Sequence, residues 1–549
     1  MEIREWAHIT PHYGKTTKTA SPNKAASLQT VSDSVTITSP VSAKTKLSST
    51  LKAGSDTKAK TTVTSDSSRK TEASGSTQER KELTVLFYLN GEYKDIGDSV
   101  AAALPTLGKK GTDSKINILA QLGYKPGKLA SNKNGAKYDV QRYVISKHIQ
   151  TGDNFIISGQ ENIKREFACD QVESFSPNQS ITDPKMLESF VEWGVKNYPA
   201  DKYMIVFAGH GKAWKGALEF SPAVMKEAVT NGVNKANSET GRKDSIDLAV
   251  FNTCLNASLE TLYDMKDMAK FTIASEDIAW GGIEKKWDSL LNIASQQIDK
   301  NGSFNAKKFS GEVVKYFRDI AAEGKKEEPH IPGEDNMDYL KRKLTRLENL
   351  ENYITLSAVD NSRISEVVEA FGNFTEILKK ENIPAEKLFA AANNSTNFSQ
   401  FRGSEFENAN FTTGIRDLGD LMNNIENAPW CSAELKDCCR NIKDKLQKSL
   451  IREMHLGEEN DRYSGININM PSNAGVIDSV NKEYTEKTPD FNRQTGWNSF
   501  LTESARSTSQ KAREKFAELG GARLPEDISE DSKEARELRK LMPQLDLSK

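Results

Sequence analysis

The stretch 203–211, YMIVFAGHG, decides both the fold and the place where chemistry can occur. Six apolar residues in a row are typical of a strand buried on both faces, and the glycines that flank His210 end that strand. A second run, 246–251 (IDLAVF), is followed by Cys254, and residues 223–235 between the two runs can form a helix. Strand, helix and strand in this order predict a parallel βαβ unit.

Runs of the same kind lie on both sides of this unit. We predict further buried strands at 83–89 (LTVLFYL), 115–122 (KINILAQL), 138–145 and 271–274 (FTIA). Helical spacing occurs at 96–107, at 255–268 and in a helix that opens with Asp183-Pro184 and runs to 198. Strands that alternate with helices indicate an α/β fold with a mostly parallel sheet flanked by helices.

The second half of the chain predicts a helix-rich architecture. Amphipathic helical spacing occurs at 304–322, 363–380, 418–425 and 432–454. One late strand-like piece, GININM, occupies 465–470. This half therefore differs in class from the strand-rich first half.

Both ends of the chain look unlike a folded core. The 549 residues have a mean hydropathy of -0.62, so part of the chain cannot bury enough apolar surface to fold. Residues 1–80 are rich in Ser, Thr, Lys and Ala, and we expect them to be disordered. A solvated tail, a non-Sec export leader and a cleavable pro-segment stay open for them. Residues 503–549 are highly charged and indicate a helical tail or a solvated appendage.

Composition excludes several classes of protein. The net charge of -2 gives no sign of a nucleic-acid partner, and no run of about 18 apolar residues could span a membrane. The N-terminus lacks the apolar region of a Sec signal, so we expect a soluble protein, cytoplasmic or exported by a non-Sec route. The five cysteines form no C-x-x-C pair, and neither a metal site nor a cofactor is expected. A structural calcium ion, which no motif supports, and the oligomeric state stay open.

His210 and Cys254 are the residues placed for chemistry. Each follows the carboxyl end of a strand, and parallel strands open on the same edge of a sheet, about 4.8 Å apart between neighbours. A thiol with a pKa of about 8.5 is mostly protonated at neutral pH, and a nearby imidazole can take its proton or stabilise the thiolate. The other histidines lie in the N-terminal segment or in polar surroundings. The sequence therefore predicts a Cys-His dyad.

Two features would assist the dyad. Gly211 has no side chain, so its backbone N–H can approach a substrate carbonyl, and together with the Cys254 N–H it could form an oxyanion hole. We expect the helix that follows Cys254 to favour the thiolate through its dipole. Taken alone, a Cys at a strand end is more often a small buried hydrophobe, and His-Gly is often only a turn. Because His210 and Cys254 follow two strands with a helix between them, the catalytic interpretation outweighs these two alternatives.

The residues around the dyad resemble the clostripain family of cysteine peptidases. The carrying motifs are YMIVFAGHGKAW, VFNTCLNAS and FTIASEDIAWGG, followed by TLSAVD, IRDLGDLM, GININMPS and TGWNSFL. The resemblance covers roughly 82–502 and implies a caspase-haemoglobinase-like fold. We therefore divide the chain into a disordered leader (1–80), a caspase-like catalytic core (81–300), a helix-rich part of the peptidase region (301–502) and a charged helical tail (503–549).

The resemblance also implies an activity. His210 would be the general base and Cys254 the nucleophile of an endopeptidase that works through a thioester acyl-enzyme. Family members often cleave after Arg or Lys, using an acidic residue two positions before the cysteine, where this chain has Asn252. The preference at the first subsite (P1) is therefore open, unless Glu276 or Asp277 supplies the carboxylate. The pocket wall implied by the resemblance comprises Asn252, Ser275, Glu276, Asp277 and Trp280.

Two further hypotheses stay open beside the active peptidase. The chain could be an inactive pseudo-peptidase that serves as a binding scaffold, which Asn252 favours and the intact dyad opposes. It could also be an exported effector whose leader carries the secretion signal. For the leading hypothesis, the expected partner is a protein or peptide substrate.

Overall fold

The computed structural model describes residues 79–93, 96–124, 139–147, 169–175, 179–277, 279, 286–324, 355–398, 414–456, 461–471, 474–504 and 506–507. Ser76–Lys549 is one compact unit by its internal contacts, and the description below concerns this unit. The expected disorder of 1–80 falls, apart from its last two residues, outside the described part. The same holds for most of the charged tail and for Trp280.

A nine-stranded sheet organises the described part, in the order β10-β8-β7-β6-β5-β1-β2-β3-β4. Its centre, β2, β1, β5, β6 and β7, is parallel, and the pairings toward both edges are antiparallel. Nine strands form this sheet: β1 Lys81–Gly91, β2 Ile116–Tyr124, β3 Asp139–Ile145, β4 Cys169–Ser174, β5 Ala200–Ala208, β6 Leu248–Asn252, β7 Phe271–Ala274, β8 Thr355–Asp360 and β10 Leu450–His455. Two more strands in the described part, β9 Ile415–Asp417 and β11 Asn467–Asn469, pair with each other in a second sheet. A mostly parallel α/β sheet is therefore confirmed.

Helices cover both faces of the sheet. They are α1 Gly97–Ala101, α2 Ala103–Lys110, α3 Pro184–Asn197, α4 Pro222–Thr240, α5 Leu259–Asp264, α6 Trp287–Asn301, α7 Ala306–Gly324, α8 Ile364–Lys380, α9 Ala385–Asn393, α10 Leu418–Glu426, α11 Ala433–Ser449, α12 Ala474–Lys487 and α13 Pro489–Thr495. Among the described residues no helix is long and apolar enough to cross a lipid bilayer.

Successive side chains of β1 point to opposite faces of the sheet, and both faces are covered, which is why the apolar run has no polar alternation. Val85 and Phe87 pack on one face with α2, α6 and α7, whereas Leu86 and Tyr88 pack on the other face with α3 and α4. All four side chains are fully buried, and each such burial contributes about 1.5–3 kcal/mol. A third core, built mainly by α8 to α13 and Trp497, also contains Trp214 and Leu255, which lie close after the ends of β5 and β6.

The signals at helix starts were reliable. The Asp183 carboxylate accepts a hydrogen bond from the Lys185 N–H, with Pro184 at the first helical position, as predicted. Ser221 caps α4 in the same way by accepting from the Val224 N–H. The helix after the first strand begins near its expected place but is split into α1 and α2.

Two predicted helices were wrong in extent. The helix expected over 255–268 is reduced to α5, Leu259–Asp264, because of contacts made by Leu255 and Ala257 that are described below. The helix expected over 432–454 ends at Ser449, and the chain continues as β10, which pairs antiparallel with β8. Pairing with a distant strand thus overrides helical spacing there. The late piece at 465–470 forms β11, which pairs with β9 in a separate two-stranded sheet.

Candidate active site

The register of the two central strands brings the candidate dyad to one place. In the parallel β5–β6 pair, Ala208 lies opposite Asn252. His210 and Cys254 each follow two residues later, so they occupy equivalent positions beyond the same sheet edge. The Gly209 N–H also lies 3.4 Å from the Asn252 carbonyl oxygen, which extends the pairing toward the site.

Gly211 lies directly against the backbone of Cys254. A Cβ atom built on Gly211 would lie 2.1 Å from the Cys254 carbonyl oxygen, 2.8 Å from the Cys254 nitrogen and 2.3 Å from Asn256 Oδ1. Real Cβ atoms do not approach backbone atoms so closely, so this position requires glycine. The two backbones that would supply an oxyanion hole are therefore in contact.

Polar side chains that the sequence did not single out tie the two loops together. Asn256 Nδ2 donates to the Gly216 carbonyl at 3.1 Å, and the Thr253 hydroxyl donates to Asn256 Oδ1. Thr261 Oγ1 donates to the Ala213 carbonyl at 3.0 Å. Threonines and asparagines in an otherwise apolar segment indicate that these side chains form hydrogen bonds inside the protein. The sequence does not reveal which backbone carbonyl each of them binds.

The Cys254 thiol is half-buried and held as the neutral form. Its Sγ lies 3.6 Å from the Ala279 carbonyl oxygen, to which it donates. Burial, with a contribution from the charge of Asp277, raises the pKa of Cys254 to about 11. At neutral pH the thiol is therefore protonated, and a base must remove its proton before it can attack.

The expected helix dipole does not act on Cys254, which corrects the sequence analysis. Leu255 adopts a positive φ of 64°, and its N–H donates to the Asp277 carbonyl at 3.0 Å. The Ala257 N–H donates to the Ser275 carbonyl at 2.9 Å. These bonds to the loop after β7 hold Leu255 in a left-handed conformation that a right-handed helix cannot contain, so α5 begins only at Leu259.

The His210 ring is positioned by groups outside the two strands. It is half-buried, and the Tyr93 ring packs edge-on against it with 4.5 Å between ring centroids. The His210 carbonyl accepts a hydrogen bond from the Leu218 N–H at 2.9 Å. The Tyr93 ring and the Leu218 N–H thus fix the imidazole and the backbone of His210, respectively.

The four described residues of the expected pocket wall divide into two groups. Ser275 and Glu276 have 1% and 0% of their surface exposed, so their side chains are buried in this structure, and their expected place in the pocket wall stays a prediction. Ser275 Oγ lies 2.9 Å from Thr355 Oγ1 instead. Asn252 is half-buried at the end of β6, and Asp277 acts electrostatically on the thiol of Cys254. Both stay candidates for substrate contact.

Glu276 belongs to a buried pair of carboxyl groups behind the site. Neither of its carboxyl oxygens makes a hydrogen bond of good geometry, but the Asp417 carboxyl is its close neighbour. Burial and the charge of Asp417 raise the pKa of Glu276 well above its ordinary value, and burial raises the pKa of Asp417 to about 6. Asp417 receives hydrogen bonds from the N–H groups of Asp420 and Ser464 at 2.7 and 2.6 Å, so it is the better anion of the pair.

Comparison with known proteins supplies the family. The sequence model of the Clostripain family, peptidase C11, matches residues 144–504. Clostripain of Hathewaya histolytica is 22% identical over 355 residues, which cover 59% of this chain and 63% of that protein, so the match spans less than two thirds of its length.

Two solved structures are also similar to the chain. One is a secreted C11 cysteine protease from Bacteroides thetaiotaomicron in complex with an irreversible peptide inhibitor, with 14% identity, a TM-score of 0.47 and coverage of 76% of this chain and 99% of that one. The other is an inactive zymogen C11 protease from Parabacteroides distasonis, with 13% identity, a TM-score of 0.47 and the same two coverages. Because the family model matches well over half of the residues, the chain belongs to the clostripain family, peptidase family C11.

Proposed function

We propose that the chain is a cysteine-type endopeptidase in which Cys254 is the nucleophile and His210 the general base. The observation that carries this proposal is the β5–β6 register, which places both residues beyond one sheet edge, with Gly211 against the Cys254 backbone. Membership of the clostripain family supports the same reaction.

The neutral thiol defines the first step. Because the pKa of Cys254 is raised to about 11, His210 must accept the thiol proton as Sγ attacks the scissile carbonyl carbon. General base catalysis of this kind contributes about 10²–10⁴-fold in rate. The negative oxygen that forms would be stabilised by the N–H groups of Gly211 and Cys254, where one donor is worth about 3 kcal/mol.

The remaining steps follow from the same two residues. The C–N bond breaks as the imidazolium of His210 donates its proton to the leaving amine, which leaves a thioester on Cys254. His210 then removes a proton from water, whose oxygen attacks the thioester carbon. The C–S bond breaks, the carboxylic acid is released, and His210 returns the proton to the Cys254 thiolate. Side chains and water suffice for this sequence, so we propose that it needs no cofactor, and that the partner is a protein or peptide substrate.

We propose that the enzyme prefers a basic residue at P1. Asn252 stands where family members carry an acidic side chain, and Asp277 would supply the carboxylate instead. Asp277 is close enough to Cys254 for its charge to raise the pKa of the thiol. Tyr463 donates a hydrogen bond to Asp277 Oδ2 at 3.3 Å, which favours the carboxylate. If Asp277 does not reach the substrate, Asn252 alone would favour a small or neutral polar P1 residue.

An inactive scaffold is the second candidate function. The observation in its favour is the raised pKa of Cys254, because a buried neutral thiol behaves as a small hydrophobe unless a base activates it. An irreversible thiol-directed peptide separates the two candidates. The peptidase reacts at Cys254, whereas the scaffold stays unmodified.

A peptide-library cleavage profile, recorded for the wild type beside Cys254→Ala, tests the proposal. We expect cleavage by the wild type after Arg or Lys and none by the variant. The Asp277→Asn variant should lose the preference for a basic residue while it keeps reactivity toward a thiol-directed reagent. Cleavage that survives Cys254→Ala would overturn the assignment of the nucleophile.

A further inference from the structure

A tight hairpin folds back on His210. Ala217 and Phe220 exchange both backbone hydrogen bonds, at 3.1 and 2.8 Å. The two residues between them, Leu218 and Glu219, have φ of 54° and 69°, a region that side chains other than Gly and Asn rarely occupy. Gly or Asn would form this reversal with less strain. Strained backbone conformations of this kind cluster at functional sites, so the contacts of Glu219 are candidates for a functional role.

Glu219 is linked to His210 through Tyr93. The Tyr93 hydroxyl donates to Glu219 Oε1 at 2.8 Å, and the ring of the same tyrosine packs edge-on against the imidazole, with 4.5 Å between centroids and 69° between the planes. Lys212 Nζ donates to both carboxylate oxygens of Glu219, at 2.8 and 2.9 Å. Three bonds therefore hold the carboxylate beside the histidine, although 43% of the Glu219 side chain is exposed.

The electrostatic interaction between Glu219 and His210 supports the same link. Burial opposes ionisation of Glu219, but hydrogen bonds from Lys212 and Tyr93 and the positive charges of Lys212 and His210 outweigh it, so its pKa lies below the ordinary value. Interactions between two charges are reciprocal, so the ionised Glu219 stabilises the imidazolium of His210. Lys212 acts in the opposite sense. Titratable groups at the same ends of the neighbouring strands include Glu92, which directly follows β1, and Cys254 and Asp277, which follow β6 and β7.

We propose that Glu219 is a positioning residue for the cysteine peptidase reaction, which orients His210 through Tyr93 and stabilises its imidazolium. The proposal rests on the proposed function, because it assigns Glu219 a role only if His210 moves protons. Glu219 accepts no proton itself. It stays ionised while His210 takes the proton from Cys254 and passes it to the leaving amine. Its negative charge stabilises the imidazolium of His210 between these two proton transfers.

The titration of His210 tests the electrostatic part without any need for activity. In a Cys254→Ala background, with histidines carrying ¹³C at Cε1, the His210 signal is assigned by its loss in His210→Ala and followed by NMR against pH. Glu219→Gln should lower the midpoint by about 0.5 pH unit, because it removes an attractive charge and leaves Lys212 uncompensated. Lys212→Gln should raise it. In 1 M salt, where the Debye length is about 3 Å, both differences should shrink.

A control and the catalytic readout complete the experiment. Glu434→Gln removes a similarly exposed carboxylate that binds only Lys380 among the described residues, and it should leave the His210 midpoint unchanged. In the enzyme with Cys254 intact, Glu219→Gln should move the limb of the kcat/KM profile governed by His210 to lower pH, with KM changed less than about twofold. Tyr93→Phe keeps the ring and should shift the limb less than Tyr93→Leu.

The outcomes separate the two proposals. If Glu219→Gln and Lys212→Gln leave the midpoint in place, or move it in the same direction, the role of Glu219 is overturned, whatever the wild type cleaves. If the wild type cleaves no peptide, the proposed function fails, although the midpoints still move in opposite directions.

Discussion

The strand-end loops and the C-terminal segment 461–501 meet around Cys254, but they contribute different things. The loops carry the half-buried groups that can react, His210 and Cys254. The C-terminal segment instead supplies donors and side chains that hold those loops from behind. Glu260, six residues after Cys254 and fully buried, accepts hydrogen bonds from the Asn469 N–H and the Tyr484 hydroxyl, both at 2.8 Å. Reactivity and rigidity therefore come from different halves of the chain.

Further bonds extend this division. Asp264, at the end of α5, accepts from the Phe491 N–H at 2.7 Å. Asn467 Nδ2 donates to the carbonyls of Leu255 and Glu276, at 3.1 and 2.7 Å. On the histidine side, Lys215 Nζ binds Glu483 at 2.7 Å. Both loops of the site are thus fastened to residues more than 200 positions later in the chain.

The largest effect should come from Gly211→Ala, which disrupts the backbone contact between the loop that carries His210 and the loop that carries Cys254. The added methyl group would lie 2.1 Å from the Cys254 carbonyl oxygen, so the loops must separate. A misplacement of about 1 Å can cost 10²-fold, and we expect at least that loss in kcat/KM. Gly302→Ala is the control, because a Cβ added at Gly302 would have no atom within 4 Å. A Gly211→Ala enzyme with activity equal to that control would contradict the described contact.

Glu260→Ala removes the strongest link from the C-terminal segment. It leaves the Asn469 N–H, the Tyr484 hydroxyl and the Ser258 hydroxyl without their acceptor inside the protein. Unfolding free energy, measured with urea, should fall by about 3–5 kcal/mol. Glu366→Ala, at an exposed pair with Lys445, should change it by less than about 0.5 kcal/mol. Equal effects of the two substitutions would remove the distinction between the two regions.

Glu276→Gln tests the buried carboxyl pair through pH. The folded-state pKa of Asp417 is raised to about 6, and that of Glu276 is raised well above its ordinary value. Stability from a group with a raised pKa is complete below its unfolded pKa of about 4 and is lost as pH rises through the folded value. The wild type should therefore lose stability between about pH 4 and pH 6 and beyond.

The amide of Glu276→Gln mimics the protonated carboxyl and cannot ionise. This variant should be more stable than the wild type at pH 8, by about 1–2 kcal/mol, and should have a flatter profile across that range. Urea midpoints at pH 5 and pH 8 provide the measurement. A steeper pH dependence in the variant would show that the two carboxyl groups do not share a proton.

Thr261→Val should give the smallest of these effects. It removes one hydrogen bond, from Thr261 Oγ1 to the Ala213 carbonyl, with little change in shape. We expect a loss of about 1 kcal/mol in unfolding free energy, with a modest decrease in kcat because Ala213 belongs to the histidine loop. A change in kcat without any change in stability would instead indicate that Thr261 acts on the site directly.

Local patterns were enough to predict the central part of the fold. The strand at 203–208 is a continuous apolar run, and its burial on both faces requires that pattern. The places of His210 and Cys254 followed, because parallel strands in register bring their carboxyl ends together. By contrast, β10 could not be predicted, because LIREMH continues the spacing of α11 and becomes a strand only by pairing with β8.

The details of the pocket depend on contacts that the sequence does not encode locally. Glu276 and Asp277 are adjacent in the chain, yet one faces a buried carboxyl and the other affects the thiol. Their directions follow from how the chain leaves β7, where Ser275 is held by Thr355 of β8. The late start of α5 has the same origin, since Leu255 and Ala257 bond to that loop.

Labelling of Cys254 by an irreversible thiol-directed peptide, located by mass spectrometry and timed in the wild type and in His210→Ala, tests the dyad most directly. We predict a single modification, at Cys254, whose rate falls at least about 100-fold in His210→Ala, because the thiol with its raised pKa then has no base. Modification at Cys431, Cys438 or Cys439 instead, or an equal rate in the variant, would contradict the assignment of His210 and Cys254 as a catalytic pair.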